Sequence, residues 1–288
     1  MPVNILFSVL TPTWNRGSYL NRVWKGINGQ TFRNFEWIVA DDGSSDETSA
    51  VISELAANSS FPVTYIRADR HVGKSRMDNA AIKQARGQLI LWCDSDDWFL
   101  PEALERLWHT WNSIPPEHRV SFVGLTALEA TESGGSIENP FPEAGITDVS
   151  WNDLAEVHGV TGDMLFCARA DALKANPFPE VDLVIPESVV WSAIGDRPTR
   201  LVPEVLKIVE YQASHAVSFS GSMSYNRGRA FSLATTTHNF RSYHQPWLTR
   251  LWRLITFIRY SIHGEIAPNE ARRLWGNNTN TLSYWVTF

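Results

Sequence analysis

Strand-like and helix-like segments alternate with regular spacing through the first hundred residues, and nothing else in the chain constrains its fold as tightly. Ile5-Leu6-Phe7-Ser8-Val9-Leu10 reads as a strand, 19–27 as a helix, 35–40 as a strand, and a second helix starts near Asp46. A strand at 63–67, a helix at 74–85 and a strand from Leu89 follow. Strands separated by helices join as parallel neighbours, which predicts an α/β fold with a mostly parallel sheet covered by helices on both faces. Ser44 and Glu47 have the S-x-x-E spacing of a capping box, which places the start of the second helix.

In an open parallel sheet the carboxyl ends of the strands face one crevice, where ligands bind. Three segments at such ends are polar: Thr11-Pro12-Thr13-Trp14-Asn15-Arg16, Asp41-Asp42-Gly43-Ser44 and Asp94-Ser95-Asp96-Asp97. Asp42 is placed to accept hydrogen bonds from a nucleobase or a ribose hydroxyl. With Ser95 as spacer, Asp94 and Asp96 can face one hard cation, and oxygen-only ligation suits Mg²⁺ or Mn²⁺ shared with a diphosphate. A second reading stays open for this cluster: Ser95 or Asp97 caps the helix that Pro101-Glu102 begins.

A chain of 288 residues is long enough to bury a sizeable core, and its net charge of −6 argues against a general nucleic-acid binder. Cys93 and Cys167 each lie in an apolar run, which predicts small buried hydrophobes instead of a disulfide or a metal pair. The start shows no charged segment followed by a cleavable apolar stretch, and no apolar run reaches the roughly 18 residues that span a bilayer, so a cytoplasmic protein is expected. After Glu117 the alternation fades: 120–128 reads as a strand, and 131–146, rich in Gly, Pro and Glu, as a surface loop. From about Ser214 the composition shifts to Ser, Thr, Asn, Arg and His, which predicts a main domain of 1–213 and a C-terminal extension of 214–288.

The ordered motifs resemble the family-two nucleotide-sugar glycosyltransferases with the GT-A, Rossmann-like fold. The resemblance rests on Pro12-Thr13-Trp14-Asn15-Arg16, Gln30-Thr31 before Glu36-Trp37-Ile38-Val39, Asp41-Asp42-Gly43-Ser44-Ser45-Asp46, Gly73 with Asn79, and the stretch 87–97. It implies inverting transfer of a sugar from a nucleoside diphosphate, UDP by family habit, to the hydroxyl of a glycan or lipid-linked glycan. Residues 1–110 would form the nucleotide-sugar half and 111–213 the acceptor half. Thr11, Pro12, Thr13, Asp42, Gly73, Lys74 and Ser95 would hold the donor, and Asp94 and Asp96 the Mn²⁺ or Mg²⁺ on its diphosphate. The family carries an acidic pair about 90 residues beyond the metal motif, often Glu-Asp; here the pair is Glu187-Ser188, so Glu187 is the implied base and Asp163 its alternative.

Other positions depart from the family. Asp78-Asn79 stands where Arg-Asn is common, so a phosphate contact would fall to Lys74 or Arg76, with a solvated helix lysine the alternative reading of Lys74. His215 and His238 are candidates for a third metal ligand or a diphosphate contact, with a surface position the alternative for each. Ser188, in place of the second acid, keeps open a binding module of the same fold without turnover. Two other classes fit less well. A phosphoacceptor receiver domain is far shorter and expects a strand-end lysine, and nucleotidyl transfer expects a glycine-rich basic loop that 11–16 lacks.

Residues 247–263 are rich in aromatics and arginine. At about 100° per residue, Leu248, Leu251, Leu254, Ile255, Ile258 and Ile262 predict an apolar face, with Arg250, Arg253 and Arg259 on the other. A basic amphipathic helix of this kind either lies in an anionic membrane interface, here the inner face of the cell membrane, or docks its stripe on protein.

Overall fold

The computed structural model describes residues 5–135, 141, 147–160, 163–210, 223–239 and 247–276. The alternating half forms β1 (Phe7–Thr13), α1 (Gly17–Asn28), β2 (Phe35–Asp41), α2 (Thr48–Ala57), β3 (Val63–Arg67), α3 (Lys74–Gln84) and β4 (Leu89–Trp92). β1, β2 and β4 are buried along their whole length, which is why they read as continuous apolar runs without polar alternation. α1 presents Leu20, Val23 and Ile27 inward, one apolar side chain per turn, against a core that includes Phe7, Val9, Trp37, Leu89 and Leu91.

The chain continues through β5 (Trp98–Phe99), α4 (Ala103–Ser113), β6 (Gly124–Thr131), β7 (Asp148–Ser150), α5 (Trp151–Glu156), β8 (Leu165–Arg169), α6 (Ala170–Ala175), α7 (Ser188–Ile194) and β9 (Pro198–Val209). Strand order is β3-β2-β1-β4-β8-β6-β9-β5, with β7 also on β9. The pairings β3-β2, β2-β1 and β1-β4 are parallel, β8 then runs antiparallel between β4 and β6, and β6-β9 is parallel again. The fold is therefore mixed α/β with a mostly parallel central sheet flanked by helices. The strand expected from 120 starts later, at Gly124, because Arg119–Ser121 wind into a 3-10 turn. Most of the expected loop 131–146 lies outside the described residues.

The expected capping box does not form. Ser44 Oγ instead accepts from the backbone N–H of Asn15, and α2 begins at Thr48, whose backbone N–H and hydroxyl both donate to Asp46 Oδ1. Asp46 Oδ2 accepts from the Gly17 N–H as well, so one carboxylate ties the starts of α1 and α2 together. Burial alone would raise the Asp46 pKa, but these hydrogen bonds outweigh it and hold the carboxyl below its usual range. Nor does Ser95 or Asp97 cap α4, whose N-cap residue is Glu102.

By its internal packing the chain divides into two compact units, Met1–Pro179 with Ile194–Tyr211, and Glu180–Ala193 with Gln212–Phe288. The second unit contains α8 (Met223–Asn239), α9 (Trp247–His263) and α10 (Pro268–Gly276). Its core is Ala230 and Ala234 of α8, Phe257 of α9, Ile266, and Ala271 and Trp275 of α10, with Phe257 and Trp275 rings 4.7 Å apart. Gly228 lets α8 run against the backbone of Val184, where an added Cβ would lie 1.9 Å from the carbonyl oxygen. Among the described residues no helix is long and apolar enough to cross a membrane.

α9 is helical as expected, but its burial is turned from the expected stripe. Phe257, Ser261 and Arg253 face the core, with Leu254 and Ile258 packed at its edge. Trp247, Leu248, Leu251, Trp252, Ile255 and Ile262 are exposed. Arg253, expected on the solvent face, is buried. Arg259 also departs from expectation: at about 100° per residue it falls inside the exposed apolar stripe.

Candidate active site

Register levels the loaded strand ends: Thr13 lies opposite Asp41 on β1-β2, and Leu10 opposite Trp92 on β1-β4. The loops after β1, β2 and β4 therefore leave one edge of the sheet, the expected place for a ligand crevice. The first two are stitched together. Asn15, in the left-handed region at φ 52, donates its N–H to Ser44 Oγ, while Ser45 N–H donates to Asn15 Oδ1. Gly43 has φ 72, and an added Cβ would lie 2.4 Å from the Arg70 carbonyl carbon, so this turn requires glycine.

The paired acids of the second loop have separate tasks. Buried Asp41 accepts from the Ser44 N–H at 2.9 Å and the Tyr65 hydroxyl at 2.5 Å. Burial, and then that bond to Asp41, push the Tyr65 pKa up to about 12. Asp42 reaches across to the segment before α3: Oδ1 accepts from Val72 N–H at 2.5 Å, and Oδ2 from Gly73 N–H at 2.9 Å and His71 Nδ1 at 2.8 Å. His71 in turn stacks on the exposed Trp14 ring at 4.2 Å, an aromatic pair that spacing alone did not single out. Thr11 Oγ1 donates to the Cys93 carbonyl and accepts from the Trp37 indole N–H, so its hydroxyl bridges β1 to the start of the acidic loop. Pro12 is buried, and Thr13 Oγ1 is buried without a hydrogen-bond partner.

In the acidic loop, the Asp97 N–H donates to the Asp94 carbonyl at 3.0 Å, closing a tight turn. Asp94 Oδ1 is buried and accepts no hydrogen bond, with Lys74 Nζ at 3.8 Å. Lys74 also reaches Asp78 at 3.1 Å. Asp96 pairs through its carboxylate with Arg16, and its backbone carbonyl accepts from Arg22 at 2.5 Å. Ser95 is buried between them. A buried carboxylate oxygen without a donor is costly, so Asp94 with Asp96 beside it suits a hard divalent cation. Among the described residues no three His, Cys, Asp or Glu side chains form a ready ligand set.

Behind this loop lies a charged cluster that the sequence reading missed. Lys207 on β9 stands opposite Glu129 on β6 in the parallel register and pairs with it at 2.8 Å and with Asp97 at 3.1 Å; all three side chains are buried. β5, directly after Asp97, pairs with β9 so that Phe99 faces Lys207. Loss of hydration raises the Asp97 pKa to about 7 and the Glu129 pKa in the same direction, with Lys207 opposing both. Lys207 is itself held well above its ordinary value, the attraction of Glu129 and Asp97 overcoming burial. Burial likewise pushes up the thiols of Cys93 and Cys167, which are free, as expected.

The remaining sequence candidates fall in both units. Asp163 is exposed in the first unit, near enough for its charge to raise the Glu129 pKa. Glu187 belongs to the second unit, where its carbonyl accepts from Val190 and Trp191 as α7 begins. His215 and the side chain of His238 fall outside the described residues. Asp78 and Asn79, the departures from the family motif, serve packing: Asp78 accepts from the Trp92 indole, and Asn79 makes a two-bond pair with the Phe178 backbone. Arg76 donates to the Val72 carbonyl at 2.6 Å.

The family described as Glycosyl transferase family 2 matches residues 8–123, the stretch that carries all three strand-end loops. Residues 8–123 are a glycosyl transferase family 2 domain. A GalNAc(5)-diNAcBac-PP-undecaprenol beta-1,3-glucosyltransferase of Campylobacter jejuni is 34% identical over 100 residues, 35% of this chain and 32% of that protein. The chain spans about a third of the length of the curated relatives it matches first. Staphylococcus aureus TarS in complex with UDP-GlcNAc has a similar structure, with TM-score 0.63 at 17% identity over 95% of this chain and 79% of that one. A mannosyltransferase of Pyrobaculum calidifontis in complex with GDP-Man and Mn²⁺ gives TM-score 0.53 at 16% identity, over 100% and 87%. The family 2 domain thus sits in a GT-A fold of the TarS kind, as the sequence motifs implied.

Proposed function

We propose that this protein is a metal-dependent, inverting hexosyltransferase that moves a sugar from a nucleoside diphosphate, UDP in the favoured reading, to a hydroxyl of a lipid-linked or polysaccharide glycan. The observation that carries this reading is the buried Asp94 oxygen at the strand edge of the family 2 domain, which accepts no hydrogen bond and has Lys74 at 3.8 Å, with Asp96 two residues on. The complexes of similar folds with UDP-GlcNAc, and with GDP-Man and Mn²⁺, support a nucleotide-sugar donor and a divalent ion. The relative named for an undecaprenol-linked glycan supports such an acceptor, and a lipid-linked acceptor would place the work at a membrane, in this reading the inner face of the cell membrane.

In this reading Asp94 and Asp96 hold Mn²⁺ or Mg²⁺, which neutralises charge on the leaving diphosphate. Arg16, paired with Asp96, and Lys74, near Asp94, are the cations already at that edge and would turn to phosphate oxygens. Thr13 offers its unpartnered hydroxyl, and Pro12 and Ser95 shape the floor of the donor pocket. Asp42 holds the segment 71–73, so that Gly73 and the Trp14–His71 pair present an ordered wall to the nucleoside. Inversion needs one base on the far side of the sugar, and Glu187 is the residue assigned to it, with Asp163 second. Ser188 beside Glu187 supports the other reading, a nucleotide-sugar-binding module of the same fold without turnover.

A thermal-shift panel of UDP, GDP, dTDP and CMP, each with Mn²⁺ and with EDTA, tests the assignment on wild type and Asp96→Ala, because a ligand of the native state raises Tm by mass action. Metal-dependent stabilisation by one nucleotide, lost in the variant, is expected. Equal melting under every condition would overturn the metal-dependent donor site.

A further inference from the structure

We propose that the outward side of α9 is a docking surface for a membrane rich in anionic phospholipid, seated through Leu248, Leu251, Trp252, Ile255 and Ile262 with Arg259 among them. This deepens the membrane placement given above, and it is read out without any sugar transfer. Ten large apolar side chains are exposed among the described residues, and six of them, Trp247, Leu248, Leu251, Trp252, Ile255 and Ile262, belong to this one helix. Scattered exposed apolar residues are ordinary, whereas a contiguous set marks a contact surface.

The stripe is not a by-product of core packing. Leu248, Leu251, Trp252, Ile255, Arg259 and Ile262 fall within roughly 100° of the helix circumference. Arg253, Phe257 and Ser261, which pack inward, lie on the opposite side. α9 is therefore apolar on two faces, one used by its own unit and one turned to solvent. Trp252 at 63% and Ile262 at 67% exposure show how far these side chains stand out.

Charge decides what covers the face. The seventeen residues of α9 contain no Asp or Glu, and while Arg253 is buried on the inward side, Arg259 lies within the outward stripe. Arg259 inside the stripe finds its opposite charge in lipid phosphate, whereas a purely apolar protein groove would leave it desolvated inside the contact. At a lipid interface the apolar side chains enter the acyl boundary while Arg259, on its long aliphatic stem, reaches back to phosphate. Tryptophan at the edge of the stripe suits the same boundary, where an apolar ring keeps its N–H near water.

The test is co-sedimentation of the full chain with vesicles of phosphatidylglycerol and phosphatidylcholine, and with vesicles of phosphatidylcholine alone. Wild type should partition onto the anionic vesicles, with Leu251→Ser/Trp252→Ser/Ile255→Ser weakening this about tenfold or more and Arg259→Glu weakening it by a smaller factor. All four positions are solvent-facing, and unchanged thermal melting confirms that the variants fold. The proposal is overturned if wild type stays in the supernatant with both vesicles, or if the triple variant sediments like wild type. It is equally overturned if light scattering shows a wild-type dimer that the triple variant dissolves, since the face would then join two copies. A metal-dependent nucleotide shift in Tm that persists in the triple variant keeps failure of this surface distinct from failure of the donor site.

Discussion

The two units treat charge and apolar surface in opposite senses. In the first, charged side chains are taken inside: Glu36 against Arg86 and Ser8 near the starts of β1 and β2, and toward the strand-end edge Asp41 under Tyr65 and Asp97 with Glu129 around Lys207. In α9 of the second, large apolar side chains stand in solvent. Burying a charge is costly, and its partners hold it in one geometry, so such groups are found where loops must be held in place. Exposed apolar area costs little in the folded chain and is covered only by a partner. The first unit thus holds charge in fixed geometry, while the second leaves an apolar face in solvent.

Four tests bear on that contrast. The largest effect belongs to Lys207→Met, which leaves Asp97 and Glu129 buried without their cation and should lower unfolding free energy by about 3–5 kcal/mol in chemical denaturation. Adding Asp97→Asn and Glu129→Gln to it should recover part of the loss, since no uncompensated charge then remains.

The next effect is one of pH. Because the folded Asp97 pKa is raised, the folded state keeps a proton that the unfolded chain releases, so this group's contribution to stability declines as pH rises from 3.8 to about 7. Melting curves across that range should show the decline in wild type and a flatter course in Asp97→Asn. Asp46→Ala should cost about 1 kcal/mol, as for loss of a helix cap, because Thr48 and Gly17 lose their acceptor. Smallest per site, Leu251→Ser/Trp252→Ser/Ile255→Ser should change unfolding free energy by no more than about 0.5 kcal/mol for each position. A large loss there would show that the outward face of α9 is packed after all, and the contrast between the units would fail.

The order of elements in the parallel half was legible because each strand is an apolar run and each helix shows its own period, as Leu20, Val23 and Ile27 do on α1. The strand-end loops were legible for the same reason, since a parallel sheet sends them all to one edge. What sequence order hides is contact across distance. Glu129 and Lys207 meet only because β6 and β9 pair, although a charged residue inside Ala127-Leu128-Glu129-Ala130 and another inside Leu206-Lys207-Ile208-Val209 were a usable signal that each needed a partner. Asp46 displaced Ser44 as the cap because Ser44 was already engaged by Asn15, a competition that local spacing does not encode. Likewise, periodicity marked the apolar residues of α9, but which face is covered depends on α8 and α10, against which Phe257 packs.

In the proposed function the strand-end carboxylates bind a divalent ion together with the diphosphate of a nucleotide. Calorimetric titration of UDP into the protein, with Mn²⁺ and then with EDTA, tests it most directly when wild type is set beside Asp94→Asn, which keeps the shape of the side chain and removes its charge. Wild type should bind UDP in a Mn²⁺-dependent way, with affinity weakened at least about tenfold, some 1.4 kcal/mol, in Asp94→Asn and in EDTA. Equal affinity for UDP in all three conditions would contradict it.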